Sequence, residues 1–241
     1  MTERDLTFPN LLNVRDLGGC RTRDGQTTRR HSLLRADDLC RLTPEGEQAL
    51  LDYGVRTVID LRWPADAQSH PNFLHRQLVP IQHQSISLLG DSIHTWIATR
   101  PQRPKELFNC LVLQYFQTEM RTVLQAIAGA PEGGLLFHCV SGKDRTGVIA
   151  ALLLALVDVE TEIIVQDYGL STEKLRDPYL AAYPNEREAT LERVRCPPEQ
   201  IHNMLTYIQE QHGDVAGYLQ AIGLSDEEIM RLKGRLIRRE K

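Results

Sequence analysis

The chain has 241 residues, of which 41% are hydrophobic and 25% are charged, a composition that supports a complete buried core. We therefore expect one α/β domain over residues 1–241. A formal net charge of −4 provides no global basic field, which argues against a nucleic-acid partner.

The first half of the sequence alternates apolar runs with turn and helix signals. Residues 1–5 are charged and no apolar run of signal-peptide character follows them, so we expect no Sec-type secretion signal. A glycine pair ends a turn over residues 13–19, and a helix should begin at Thr43-Pro44 and stop at Gly54. Short apolar runs predict strands at residues 32–35, 55–61 and 75–81.

The pattern of apolar runs weakens after residue 81, and helix signals follow it further along the chain. Residues 82–106 contain Ser, Gln and two prolines, and we interpret them as a mobile connection or a lid. Helices are predicted over residues 107–128 and through the C-terminal third from residue 160 onward. The longest apolar stretch, residues 148–157, is too short to cross a bilayer, so we expect a buried helix and no integral membrane segment.

One cysteine stands out from the rest by its neighbours. Five cysteines without a Cys-x-x-Cys pair indicate a reducing compartment, so we take the cytoplasm as the default location. Cys139 follows a short apolar strand that begins at Leu135 and has Arg145 six positions later, a spacing that the other four cysteines lack. A structural cysteine beside an unrelated arginine is the simpler alternative, but it leaves the neighbouring glycines and His138 unexplained.

The residues between Cys139 and Arg145 predict a phosphate-binding loop. Backbone N–H groups of a tight loop that leads into a helix bind anions, and the same partial positive charge favours the thiolate of Cys139. The Arg145 guanidinium can hold two phosphate oxygens. Cys139 would then attack phosphorus and form a cysteinyl-phosphate that water hydrolyses, with no metal or other cofactor. The predicted phosphate-binding residues are Val140, Ser141, Gly142, Lys143, Asp144, Arg145 and Thr146.

The run from His138-Cys139 to Arg145-Thr146-Gly147 resembles the signature of the cysteine-dependent protein tyrosine phosphatase superfamily. The loop interior and the segments at residues 13–19, 34–39 and 60–62 are similar to bacterial atypical tyrosine phosphatases related to a secreted mycobacterial enzyme. The resemblance implies a PTP-like α/β fold with a central, mainly parallel sheet flanked by helices and a helical C-terminal third. Because that family includes enzymes exported without an ordinary signal, export stays open.

The general acid is the least settled catalytic role. Between Asp91 and Asp144 the sequence contains no aspartate, which favours Asp144 inside the loop as the proton donor, as the bacterial resemblance also implies. Its alternative role is to orient Arg145, because the flanking cations should keep its carboxylate ionised. Residues 63–66 look like the Trp-Pro-Asp acid loop of classical tyrosine phosphatases. We expect Asp66 to be a surface or helix-start residue instead, because it lies over 70 residues before Cys139 and follows residues 60–62, where the bacterial family has a different loop.

Several further residues have two interpretations. Lys143 could bind a second phosphate or an inositol head group, as in tensin-type lipid phosphatases, or be a solvated lysine. Thr146 could donate to the Cys139 sulfur or cap a helix. Asp60 and Arg62 could line the pocket at the end of a strand or form a structural ion pair. We expect structural roles for Arg15, Asp16, Arg35 and Asp37.

The sequence therefore predicts a phosphate monoester hydrolase, most specifically a protein tyrosine phosphatase acting on phosphotyrosine-containing proteins, with dual or lipid specificity left open. A phosphoinositide phosphatase is the nearest alternative, although Val140 stands where a second lysine would strengthen it. A non-catalytic phosphoprotein-binding module is the alternative from another class. The oligomeric state and the physiological substrate are left open.

Overall fold

A computed structural model describes residues 4–71, 80–90 and 105–237 of the chain. A five-stranded sheet has the strand order β1-β2-β5-β3-β4, in which β1 is antiparallel to β2 and the other neighbours are parallel. This arrangement confirms the mainly parallel α/β sheet. The strands are β1 Arg15–Asp16, β2 Leu33–Ala36, β3 Val55–Asp60, β4 Gln82–Ser85 and β5 Gly134–His138.

Helices cover both faces of the sheet and make up the C-terminal third, as expected. The helices are α1 Pro44–Tyr53, α2 Pro64–Ser69, α3 Phe108–Tyr115, α4 Gln117–Gly129, α5 Asp144–Leu156, α6 Thr161–Ala182, α7 Arg187–Val194, α8 Glu199–His212, α9 Val215–Ala221 and α10 Asp226–Leu236. Short 3-10 turns lie at Leu39–Arg41 and Lys105–Leu107. None of the helices in the described ranges is long and apolar enough to cross a membrane.

The central strands are buried on both faces because successive side chains point into two different cores. Leu135 and Phe137 of β5 pack into the larger core, which α3, α4, α5 and the C-terminal helices complete. Leu136, between them, packs into the smaller core, together with Val58 and Leu50 from α1. This double burial holds β5, and the loop that follows it, at the centre of the molecule.

The start and end signals predicted for α1 are confirmed by the structure. Thr43 caps α1 by accepting a hydrogen bond from the Gly46 N–H, and Gly54 ends the helix with a φ of 103°, a value that suits glycine. Most of the predicted strand at 75–81 lies outside the described residues, which leave out 72–79, and the strand described at this edge of the sheet is β4. β4 also begins the segment 82–106 that we interpreted as a lid, and residues 91–104 of that segment lie outside the described residues.

Candidate active site

The loop between β5 and α5 requires a glycine at position 142. Gly142 has a φ of 64°, and a Cβ there would lie 2.4 Å from the carbonyl oxygen of Ala36 at the end of β2. The loop therefore packs directly against the neighbouring parallel strand. Cys139, at the loop's first position, is buried, and α5 begins at Asp144.

Buried side chains hold the loop's carbonyl groups from behind. Arg35 donates to the Gly142 carbonyl oxygen at 2.7 Å, and the Asn13 side-chain amide donates to the Ser141 carbonyl oxygen at 2.9 Å. In a trans peptide the N–H points away from the preceding carbonyl, so the N–H groups of Gly142 and Lys143 face away from Arg35 and Asn13. This orientation leaves them available to an anion.

Asp167 of α6 connects this support to the N-terminal strands. Its carboxylate accepts hydrogen bonds from Arg35 at 2.7 Å, from Arg15 at 3.1 Å and from Arg4 at 2.7 Å. Burial alone would raise the pKa of Asp167, but the positive charges of the three arginines outweigh it and hold that pKa well below its usual range. The structural roles expected for Arg15 and Arg35 agree with this geometry.

Asp16 and Asp37, for which we expected structural roles, accept hydrogen bonds from groups of the main chain. Asp16 accepts hydrogen bonds from the Gly18 N–H at 2.7 Å and from the Tyr53 hydroxyl at 2.7 Å. Asp37 accepts from the Asn13 N–H at 3.1 Å. Both side chains thus organise the segment that supports the loop.

Asp60 and Arg62 form a buried ion pair, and Arg62 also lines a cavity of about 390 Å³. The two residues are only 1% and 2% exposed, and the Arg62 Nη2 lies 2.8 Å from the Asp60 carboxylate. Arg62 also donates to Asp38 at 2.9 Å. The ion pair agrees with the structural alternative, while the position of Arg62 at the cavity leaves the pocket role of the pair as a prediction.

A group of potential metal ligands adjoins this ion pair. Asp60, His83 and His138 each place a ligand atom within 4.8 Å of the others. Arg62 donates to both oxygens of Asp60, at 2.9 Å and 2.8 Å, so a cation would have to displace the guanidinium. Burial lowers the pKa of His138 to about 4, which keeps its ring neutral at pH 7, and its Nδ1 lies 3.2 Å from the Cys139 carbonyl oxygen.

Asp66 lies much closer to the loop than its position in the sequence indicates. It is in the first turn of α2, as expected, yet its Oδ2 lies 3.3 Å from the Arg145 Nη1. The helix-start position expected for Asp66 is confirmed, but its separation from Cys139 in sequence gave no sign of the contact with Arg145. β3 and β5 are adjacent parallel strands, so the residues that follow them converge at one edge of the sheet.

Asp144 and Lys143 have different surroundings although they are neighbours. Asp144 is one-third exposed, and its carboxylate lies 3.2 Å from the Tyr168 hydroxyl and 3.5 Å from the Lys143 Nζ. The Lys143 ammonium is buried and donates to the Arg193 carbonyl oxygen at 2.6 Å. The buried ammonium contradicts the solvated lysine, whereas Lys143 lines the cavity beside the loop, so its binding role stays a prediction.

Thr146 is not the helix cap, since Lys143 holds the N-cap position of α5. The Thr146 hydroxyl is buried and has no hydrogen-bond partner among the described residues. A buried hydroxyl without a partner is uncommon, because it loses its contact with water and gains nothing in return. The hydrogen bond to the Cys139 sulfur that the sequence suggested is thus not formed in this structure, and it stays a prediction.

A cavity of about 380 Å³ opens beside the loop. Its walls come from the loop, the end of α6 and α7, and they include Val140, Ser141, Asp144, Tyr179, Tyr183 and Arg193. Burial, followed by the nearby charges of Asp37 and Cys139, raises the pKa of Tyr179 to about 12. Sequence reasoning missed the two tyrosines and Arg193, which carry no motif.

Comparison with known proteins gives a consistent picture. A model described as the tyrosine phosphatase family matches residues 6–238. A tyrosine-protein phosphatase of Nostoc commune is 35% identical over 218 residues, which cover 85% of this chain and 74% of that protein. A putative tyrosine-protein phosphatase of Cupriavidus necator is 28% identical over 176 residues, covering 70% of this chain and 64% of that protein. The triple specificity protein phosphatase PtpB of Mycobacterium tuberculosis is 25% identical, over 98% of this chain and all of that protein.

Proposed function

Because the chain belongs to the tyrosine phosphatase family, we propose that it hydrolyses phosphate monoesters, foremost phosphotyrosine in proteins, with Cys139 as the nucleophile. One observation carries this proposal. In the loop that joins Cys139 to Arg145, Arg35 and Asn13 bind the carbonyl groups of Gly142 and Ser141, so the N–H groups of Lys143 and Gly142 point to the other side, where they would bind the phosphate.

The reaction has two displacements at phosphorus. The Cys139 thiolate forms a bond to phosphorus while the bond to the leaving oxygen breaks, and that oxygen takes a proton. Water then attacks phosphorus, the P–S bond breaks and the thiolate is restored. The Thr146 hydroxyl, which forms no hydrogen bond in the described part of the chain, would stabilise the departing thiolate by donating a hydrogen bond to it.

Arg145 would bind two phosphate oxygens and follow their charge into the transition state. In the structure its Nη1 contacts Asp66 at 3.3 Å, and the carboxylate of Asp66 is 37% exposed. A partly exposed ion pair is weak, so a phosphate dianion can replace Asp66 as the partner of the guanidinium. Substrate binding would thereby release the Asp66 carboxylate beside the reacting phosphate.

We propose Asp144 as the proton donor to the leaving group. Its partly exposed carboxylate lies at the start of α5, in the loop that binds the phosphate, and Tyr168 is within hydrogen-bond distance. Asp66 is a second candidate because its contact with Arg145 brings it to the same site. The two candidates differ in their partners, so substitution can separate them.

Phosphoproteins are the proposed main substrates, and activity on other phosphomonoesters is left open. The mycobacterial relative is named a triple specificity phosphatase, which is compatible with activity on other phosphomonoesters. The phosphoinositide alternative rested on Lys143, whose ammonium instead binds the carbonyl oxygens of Arg193 and Arg195 at 2.6 Å and 3.4 Å. Hydrolysis of a phosphotyrosine peptide and a phosphoinositide by one preparation decides between the two.

The test of the proposed function is turnover of a small aryl phosphate. Cys139→Ser should lower it by about 10⁴-fold or more, because a nucleophile is removed. Cys40→Ser changes a partly exposed cysteine in the 3-10 turn and should leave turnover intact. Retained activity in Cys139→Ser would contradict the proposal, and a pre-steady-state burst of leaving group from the wild type would exclude a binding module.

A further inference from the structure

The cavity beside the loop contains a cation that the proposed reaction does not use. The Arg193 guanidinium carbon lies 4.8 Å from the centroid of the Tyr183 ring, a favourable cation–π distance. Tyr179 lies one helical turn before Tyr183, with the two ring centroids 6.2 Å apart. The cavity therefore combines two phenol rings and a guanidinium on the wall that faces loop residues Val140 and Ser141.

Arg193 is attached to the phosphate-binding loop through its backbone. Lys143, inside the loop, donates to the Arg193 carbonyl oxygen at 2.6 Å and is almost fully buried. A charge-assisted hydrogen bond of this kind, shielded from water, is stronger than an exposed one. The position of the Arg193 side chain relative to the loop is thus set by the loop itself.

The Arg193 guanidinium can nevertheless exchange its ion-pair partner, Glu186, for another anion. Its ion pair with Glu186 has a distance of 3.4 Å, and the side chains are 46% and 54% exposed. Exposed pairs of this kind contribute little free energy and are screened by salt. An incoming anion can therefore take the place of Glu186 while the guanidinium keeps its contact with the Tyr183 ring.

We propose that Arg193, Tyr183 and Tyr179 form a subsite for a second anionic group of a peptide substrate, namely the side-chain carboxylate or phosphate of a residue next to the phosphotyrosine. This inference rests on the proposed function. The rings offer flat apolar surface to a peptide, and the guanidinium offers a bidentate partner to its acidic side chain. Glu186 competes with the substrate for Arg193 and weakens the subsite.

The test uses the full-length protein and two phosphotyrosine peptides that differ only in flanking residues, with Glu and Asp in one and Gln and Asn in the other. The readout is the ratio of kcat/KM for the acidic peptide to that for the amide peptide, which is insensitive to a general loss of folded protein. The wild type should prefer the acidic peptide by about threefold to fivefold, the range of an exposed charge pair.

Three variants make the expected direction specific. Arg193→Gln should bring the ratio to about one through KM, whereas Glu186→Gln should raise it above the wild-type value. Arg176→Gln is the matched control, because Arg176 is an exposed arginine of α6 whose ion pair is with Asp177. It should keep the wild-type ratio.

An acidic preference that persists in Arg193→Gln would overturn the subsite. So would a wild type that turns over a small aryl phosphate but shows no preference between the peptides. If the wild type hydrolyses no aryl phosphate, the proposed function and the subsite both fall. Faster hydrolysis of phosphoinositide vesicles than of the acidic peptide, lost in Arg193→Gln, would overturn the assignment to a peptide.

Discussion

Replacing Asp167 by Asn tests whether the buried charge network holds the candidate active site together. The side chains of Asp167, Arg15 and Arg35 are 2%, 0% and 1% exposed, and the carboxylate is the shared partner of both guanidinium groups. The substitution keeps the volume of the side chain but removes its charge. Two cations would then remain buried against a neutral amide.

The expected loss in the free energy of unfolding is about 3–5 kcal/mol, the cost of leaving one partner of a buried ion pair without its counter-charge. A domain of this kind has a total stability of about 5–15 kcal/mol, so the variant should fold but unfold at a clearly lower urea concentration. Turnover should also fall, because Arg35 links Asp167 to the Gly142 carbonyl oxygen.

Urea unfolding followed by far-ultraviolet circular dichroism measures the effect. Asp177→Asn is the matched control on the same helix, since Asp177 is 77% exposed and its change should stay within about 0.5 kcal/mol. A loss for Asp167→Asn of less than about 1 kcal/mol would refute the reasoning.

Because the folded state lowers the pKa of Asp167, the stability that this carboxylate confers is present above the ordinary aspartate pKa of 3.8 and is lost as pH falls below it. Stability of the variant should depend less on pH in that acidic range.

Three further predictions concern the loop and the residues beside it. Gly142→Ala places a Cβ 2.4 Å from the Ala36 carbonyl oxygen at a φ of 64°, so it should lower the free energy of unfolding by at least about 1–2 kcal/mol. It should also abolish the rise in the thermal unfolding temperature that bound phosphate produces. An unchanged rise would contradict the account of the loop. Burial lowers the pKa of His138 from 6.5 to about 4, so the folded state is fully stable with respect to this group above pH 6.5 and loses stability as pH falls from 6.5 to 4. In His138→Gln the free energy of unfolding should change less with pH between 6.5 and 4. An unchanged pH profile would argue against this role of His138. Asp144→Asn should slow alkyl phosphates, which have poor leaving groups, about tenfold or more relative to activated aryl phosphates. If Asp66→Asn produces that selective loss instead, Asp66 is the proton donor.

Local signals predicted the parts of the fold that depend on local physics. Thr43 and Gly54 bound α1 because capping requires only nearby backbone groups, and the spacing of Cys139 and Arg145 identified the loop. The edge strand β4, by contrast, has the sequence Gln-His-Gln-Ser and is not fully buried, so no apolar pattern marked it. Its position depends on pairing with β3.

The candidate site contains residues that only the tertiary structure brings together. Asp66 reaches Arg145 because β3 happens to be the neighbour of β5, an order that the sequence does not reveal. Lys143 turns to the Arg193 carbonyl oxygen because α7 packs beside the loop. A motif specifies residue types at short spacing, whereas these contacts depend on how distant helices dock.

The Asp167 network also has a consequence for the order of folding. Its hydrogen bonds to Arg4, Arg15 and Arg35 join residues separated by 163, 152 and 132 positions in the chain. Contacts between such distant segments form late, since the intervening chain must first be ordered. The phosphate-binding loop is therefore complete only after α6 has docked on the N-terminal strands. Activity should therefore recover later than the helical signal during refolding. A ribosome-bound chain whose α6 has not yet emerged from the ribosome should be inactive.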